Sequence, residues 1–372
     1  MKDLGLDSYR MSMAWPRLMT EDGRSNERGF DFYKRVLDGL TARGIKAFVT
    51  LYHWDLPQWI QDRGGWVSRE TAYRFADYAD LCSRQLTGRV EAWSTLNEPW
   101  CSAWLGHGCG VMAPGYTDAG LAMAAGHHLM LGHGLALPAL RANDPKAKLG
   151  TVLLLSPGVP LRNTPEDRLA VEYFHAGHNA WFLNPIMGCG YDPKLFQLRG
   201  ATAPIIPGDE DIIGQKLDYL GVNYYRRTVV TAEPGQLCRE IELEGGERNQ
   251  MGWEIVPDSL YDLMIDLKRR FPQLPPIYIT ENGMARDDKV ENGRVHDPER
   301  IRFFERHLAA VDRAMAAGVD IRGYFAWSLL DNFEWAYGYE MRFGLFHVDF
   351  QTQKRTAKDS AHWMREFLAS RV

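Results

Sequence analysis

Seven short runs rich in β-branched and aromatic residues recur along this chain, at residues 8–14, 47–51, 92–96, 149–155, 219–224, 277–280 and 323–328. Longer segments separate them, several with helical spacing. This alternation constrains the fold more than any other feature, because parallel strands can be joined only by crossovers long enough to hold a helix. Between the first two runs, Phe30, Tyr33, Leu37 and Leu40 recur every three or four residues. Asn26 stands where a helix N-cap is needed, and Gly44 where a left-handed end is needed. The same spacing runs from Ser68 through Phe75, Tyr78, Cys82 and Leu86, and from Pro298 through Ile301, Phe304, Leu308 and Val311 to Gly318. Such faces suit an outer ring of helices buried on a strand barrel. The least regular stretch, residues 231–251, reads as a surface loop excursion.

Length alone would allow two average domains in 372 residues, but α/β barrels reach this size as one. No linker, compositional break or internal repeat divides the chain, so a single domain over residues 1–372 is expected. The 43 Lys+Arg against 48 Asp+Glu give a formal charge of -5, which offers no counter-ion surface to phosphate backbones or anionic lipid. No nucleic-acid partner is expected. No run approaches the roughly 18 apolar residues of a membrane span, and Asp3, Asp7, Arg10 and Arg17 break the start of the chain. The cysteines Cys82, Cys101, Cys109, Cys189 and Cys238 are odd in number and never form C-x-x-C, which fits a reducing, cytoplasmic setting.

Two motifs each place a glutamate at the end of a predicted strand: Thr95-Leu96-Asn97-Glu98-Pro99 and Tyr278-Ile279-Thr280-Glu281-Asn282-Gly283. Pro99 disfavours helical geometry for Glu98, so the extended conformation should persist to that carboxylate. Asn282-Gly283 should supply a turn just after Glu281. In a parallel barrel all strands end on one face, where carboxylates distant in sequence can meet. Glycoside hydrolysis needs such a pair, one to protonate the leaving oxygen and one to meet the oxocarbenium-like carbon. A Glu at a strand end is more commonly just solvated. Here, however, aromatic and hydrogen-bonding clusters lie at other predicted strand ends: Tyr52-His53-Trp54-Asp55, Asn223-Tyr224-Tyr225, and the run from Trp327 to Trp335. Sugars present apolar C–H faces and hydroxyl edges, which these groups match. His127, His128 and His133 sit in an apolar helical stretch without a nearby carboxylate or cysteine, and His175 and His178 carry no stronger signal, so no metal is expected. The glycines at 106, 108 and 110 lack the Lys-Ser/Thr of a phosphate loop, and no cofactor is expected.

Together these motifs, in this order and spacing, resemble those of the glycoside hydrolase family 1 β-glucosidases, and the resemblance runs from Leu4-Gly5-Leu6-Asp7-Ser8-Tyr9-Arg10 to near Trp363. It implies an α/β fold of the TIM (β/α)8 type, retention of configuration, Glu98 as acid/base and Glu281 as nucleophile. It further implies that His53, Trp54, Asn97, Asn223, Trp327, Glu334 and Trp335 hold the non-reducing sugar. Arg10 and Tyr225 would support Glu281, and Trp253 would carry the leaving group, flanked by Trp100 and Leu105. Its substrates would be small β-glucosides and cello-oligosaccharides, with β-galactosides or β-fucosides also accepted. The family's first strand, most of its first helix and a sugar-binding Gln precede the Leu-Gly-Leu-Asp segment. That unit is absent from this sequence, so an incomplete barrel of seven strands is expected, with self-association as one way to cover its seam.

Two rival functions bear on the same residues. In the family's 6-phospho-β-glycosidases a Ser, a Lys and a Tyr hold the phosphate where this chain has Glu334, Met341 and Phe343; an acidic Glu334 would repel that phosphate. A catalytically silent sugar-binding protein or decayed fragment is the rival from another class. Retention of both carboxylates argues against it, and the shortened start argues for it.

Overall fold

The computed structural model describes residues 1–21 and 23–371. Seven strands, β1 (Ser8–Ser12), β2 (Lys46–Tyr52), β3 (Ala92–Asn97), β4 (Lys148–Leu154), β5 (Tyr219–Asn223), β6 (Ile277–Asn282) and β7 (Ile321–Ala326), form one sheet in chain order. Every neighbouring pair is parallel. The α/β barrel expected from the alternation is therefore present with its seven strands. Among the described residues β1 pairs only with β2, and β7 only with β6, so the ring stays open between them. A cavity of about 1110 Å³ runs along this seam and into the strand-end face, touching Ser8, Arg10, Tyr324, Phe325, Trp327 and Trp335.

Alternation along the strands sorts side chains to two sides. Val49 and Leu51 of β2 pack against the helix Glu27–Thr41, whose buried Phe30, Tyr33, Leu37 and Leu40 are the periodic positions seen in sequence. On the opposite face Phe48, Ala92, Tyr219 and Tyr278 form a separate aromatic cluster, joined by Phe325. The helices Glu70–Leu86 and Pro298–Ala316 also form where their spacing places them. No described helix is long and apolar enough to cross a membrane.

Two local expectations need correction. Asn26 sits at the N-cap position, but its side-chain amide donates to the Arg17 carbonyl at 2.8 Å and caps nothing. That carbonyl lies in the short helix Trp15–Leu18 and needs a donor from outside it. Residues 231–251 are not all loop: Thr228–Glu233 and Gln236–Ile241 form an antiparallel hairpin, with Gly158–Pro160 parallel to its first strand. The second hairpin strand is largely exposed, so Arg239 and Glu240 lie in it at no desolvation cost and hide the alternation that marks a half-buried strand.

A buried ion network joins the segments that follow β6 and β7. Lys358 Nζ donates to Asp288 at 2.5 Å and to Asp331 at 2.8 Å, and Arg300 pairs with Asp288 and Asp297, all of these side chains being fully buried. Asp331 also accepts from Arg342 at 2.7 Å and from the Gly344 N–H at 2.9 Å. It thereby ties the segment 327–335 to the strand Phe346–Val348 and to the start of the helix Asp359–Ala369.

Candidate active site

Five non-glycine residues among those described have positive φ, and three of them, Trp54 (79°), Glu98 (45°) and Trp335 (46°), belong to the set named from sequence for the site. Such conformations cost roughly 1–3 kcal/mol each and persist where the surroundings over-determine them. Glu98 corrects an expectation, because it is left-handed rather than extended. Pro99 disfavours the right-handed helical region for its predecessor but does not force an extended conformation. The chain uses the left-handed region to turn from β3 into the π-helical segment Cys101–Gly108: the Glu98 N–H donates to Val152 O and the Cys101 N–H to Glu98 O, both at 2.9 Å. The turn expected at Asn282-Gly283 is also absent, since β6 continues through Asn282. Gly283 serves close approach instead: a Cβ there would collide with the Trp327 carbonyl oxygen.

Four strands, β1, β3, β5 and β6, contribute to one hydrogen-bonded chain linking the two glutamates. Glu281, on β6, accepts from Arg10 Nη1 at 2.6 Å and from the Tyr225 hydroxyl at 2.7 Å. Arg10, on β1, also donates through Nη2 to Asn97 Oδ1 at 2.6 Å. Asn97 Oδ1, on β3, accepts a second bond from Asn223 Nδ2 of β5 at 3.1 Å, and the same nitrogen donates to Glu98 Oε1 at 2.6 Å. Thr280 Oγ1 donates to Asn223 Oδ1 at 2.7 Å, which fixes that amide's orientation. Both carboxylates are buried, with 5% of Glu98 and 3% of Glu281 exposed, yet their partners differ in charge. Glu281 holds a cation. Burial, then the charge on Glu281, push the Glu98 carboxyl up to about 8, while Asn223, Cys101 and Arg10 pull the other way.

Around this chain stand the aromatic groups. His53 stacks near both Trp327 and Trp335, with ring centroids 6.1 and 6.0 Å away and near-parallel planes, and Trp54 meets Trp335 at 4.6 Å. The Trp54 Nε1–H donates to Asn97 O at 2.8 Å. Burial, then Arg10, lower the His53 pKa to about 3, so its ring is neutral. Because both bonds to Asn97 Oδ1 come from donors, Asn97 must present Nδ2 to His53 Nε2 at 3.2 Å, which leaves the imidazole proton on Nδ1. Glu334 is partly buried, and burial, then the charge on Glu281, push it up to about 7. Trp253 stands 5.2 Å from the Tyr225 ring, and Phe343 contacts both. These contacts bring together Arg10, His53, Trp54, Asn97, Glu98, Asn223, Tyr225, Trp253, Glu281, Trp327, Glu334 and Trp335, whereas Trp100 contacts His178 and the Gly177 carbonyl and no described contact ties Leu105 to them. Cys101, Thr280 and Asn282 were not named; Asn282 bonds Tyr224 O and the Tyr324 hydroxyl and so aligns β6 with its neighbours. His127, expected to lack a carboxylate, bonds Asp209 at 2.8 Å, a partner 82 residues away in the chain.

The Glycosyl hydrolase family 1 model matches residues 1–371. The chain belongs to glycosyl hydrolase family 1. That match runs along the whole described chain and gives no support to the expected loss of a first βα unit; the seven-stranded sheet remains an observation of the described residues. Among family 1 relatives, a bifunctional beta-D-glucosidase/beta-D-fucosidase of Bifidobacterium breve is 43% identical over 99% of this chain and 85% of its own length. The solved AHE enzyme from Alicyclobacillus herbarius superimposes with a TM-score of 0.96 at 47% identity, covering 100% of this chain and 83% of that one. A beta-glucosidase from Thermotoga maritima in complex with glucoimidazole gives 0.96 at 41% identity, covering 99% and 84%.

Proposed function

We propose that this family 1 glycosidase is a retaining β-glucosidase in which Glu98 is the general acid/base and Glu281 the nucleophile. The supporting observation is the unequal setting of the two carboxyls. Glu281 accepts from a guanidinium and a phenol, whereas Glu98 is pushed toward its protonated form by burial and by the charge on Glu281. Environments that separate two carboxyls in this way separate a base from an acid. Glu98 gives its proton to the glycosidic oxygen as Glu281 attacks the anomeric carbon, releasing the alcohol and leaving a glycosyl ester on Glu281. Glu98, now a carboxylate, takes a proton from water; the resulting hydroxide oxygen displaces Glu281, and the sugar leaves with its β configuration.

His53, Trp54, Asn97, Asn223, Trp327, Glu334 and Trp335 would hold the terminal sugar, and Trp253 would face the leaving group. Glu334 beside Trp335 favours neutral hydroxyls over a phosphate, which fits β-glucosyl ends, including those of cello-oligosaccharides, and β-fucosyl or β-galactosyl ends. The five unpaired cysteines support a reducing, cytoplasmic setting.

Azide separates the two roles on a substrate with an acidic phenol, which departs without a proton. Glu98→Ala should retain activity there and, with azide, give the β-glycosyl azide, while Glu281→Ala should be nearly inert and give the α-azide. Exchanged products would reverse the assignment. Wild-type hydrolysis no higher than that of Glu281→Ala would favour the silent sugar-binding alternative.

A further inference from the structure

Glu98 receives a donor on each carboxyl oxygen: Asn223 Nδ2 on Oε1 at 2.6 Å and Cys101 Sγ on Oε2 at 3.3 Å. The two are chemically unequal. Asn223 cannot turn its amide, because its Oδ1 is held by Thr280 and its Nδ2 also serves Asn97, so Oε1 always meets an N–H. The transferable proton of an acid at Glu98 therefore belongs on Oε2, beside the thiol. Cys101 opens the π-helical segment, its N–H bonds the Glu98 carbonyl at 2.9 Å, and only 3% of it is exposed. Its sulfur is thus clamped three residues beyond the carboxyl it touches. Burial, then the charges of Glu98, Glu281 and Glu334, push the thiol well above its ordinary range, so it stays an S–H donor throughout turnover.

We propose that Cys101 is a positioning residue for the acid/base: its S–H donates to Glu98 Oε2, orients that oxygen and stabilises the carboxylate that activates water. This rests on the reading of Glu98 as acid/base. A thiol is a weak donor, so it holds the oxygen without binding the carboxylate as tightly as an N–H or O–H would. Other groups facing Glu98 are Glu281 from β6, Arg10 from β1, Asn223 from β5 and the Tyr225 hydroxyl just beyond β5; none contacts Oε2 among the described hydrogen bonds.

The test is the pH profile of kcat/KM on an aryl β-glucoside for the full chain, Cys101→Ala and Cys101→Ser. The alkaline limb reports loss of the acid's proton in the free enzyme. Removing the thiol withdraws a donor from the carboxylate, so the Cys101→Ala limb should move up. A serine hydroxyl donates more strongly, so the Cys101→Ser limb should move down, each on the order of half a pH unit. The position of a limb does not depend on how much of a variant folds, so a partly unfolded preparation still gives an answer. Limbs that coincide with wild type, or that move together in one direction, overturn the proposal. Glu98→Ala on a dinitrophenyl glucoside should lack the limb altogether; a limb that survives there overturns the acid/base assignment itself, and the role of Cys101 with it.

Discussion

If Glu334 holds the sugar as proposed, it should couple sugar binding to protonation. Burial and the charge on Glu281 push it up to about 7, so in the empty site it gains a proton as pH falls through that value. Sugar hydroxyls donate best to its charged form, so glucoside affinity should weaken below about pH 7. Glu334→Gln should remove that pH dependence and lower kcat/KM by roughly ten- to a hundredfold, the value of a hydrogen bond to a charged group. An unchanged kcat/KM would take Glu334 out of the sugar pocket. At this scale the sequence carries most of the site, because Glu98, Glu281, His53 and the tryptophans lie in short motifs at strand ends. Cys101 carries no such signal: a cysteine in an apolar run looks like core until the left-handed Glu98 folds it back onto the carboxyl.

The segment from Trp327 to Trp335 forms no regular strand, yet it carries three of the residues assigned to the sugar. Its anchor is Asp331, held by Lys358, Arg342 and the Gly344 N–H. Lys358→Met leaves Asp288 and Asp331 each short of a buried partner, which should cost about 3–5 kcal/mol of stability and lower kcat/KM through displaced Glu334 and Trp335. Urea unfolding within about 0.5 kcal/mol of wild type would show the anchor to be elsewhere. The strands and outer helices were legible because burial imposes a period on them. This network was not, since its acids and bases come from positions up to 70 residues apart and no local pattern records their meeting. The exposed hairpin strand Gln236–Ile241 was illegible for the opposite reason, having too little burial to impose a period.

In the whole molecule both the strand count and the open ring were legible, the count from the alternation and the opening from the family resemblance, and among the described residues the first and last strands do stay unpaired with each other. Among the described residues both strands present an unpaired edge to the seam cavity, and unpaired edges seek partners. The chain should therefore self-associate as its concentration rises in sedimentation velocity; a monomer at every concentration would mean that the seam is shielded within one chain. The same cavity reaches Arg10 and Trp327, so the open edge adjoins the groups around the nucleophile. Whether those groups make a working nucleophile is tested most directly by trapping. A glucoside fluorinated beside the anomeric carbon, with a dinitrophenyl leaving group, slows both steps but the second more, so the glycosyl enzyme accumulates. Mass spectrometry of the digested protein should find one fluorosugar per chain, on the peptide carrying Glu281. An adduct on Glu98 or elsewhere, or none from a preparation that hydrolyses aryl glucosides, would contradict the account.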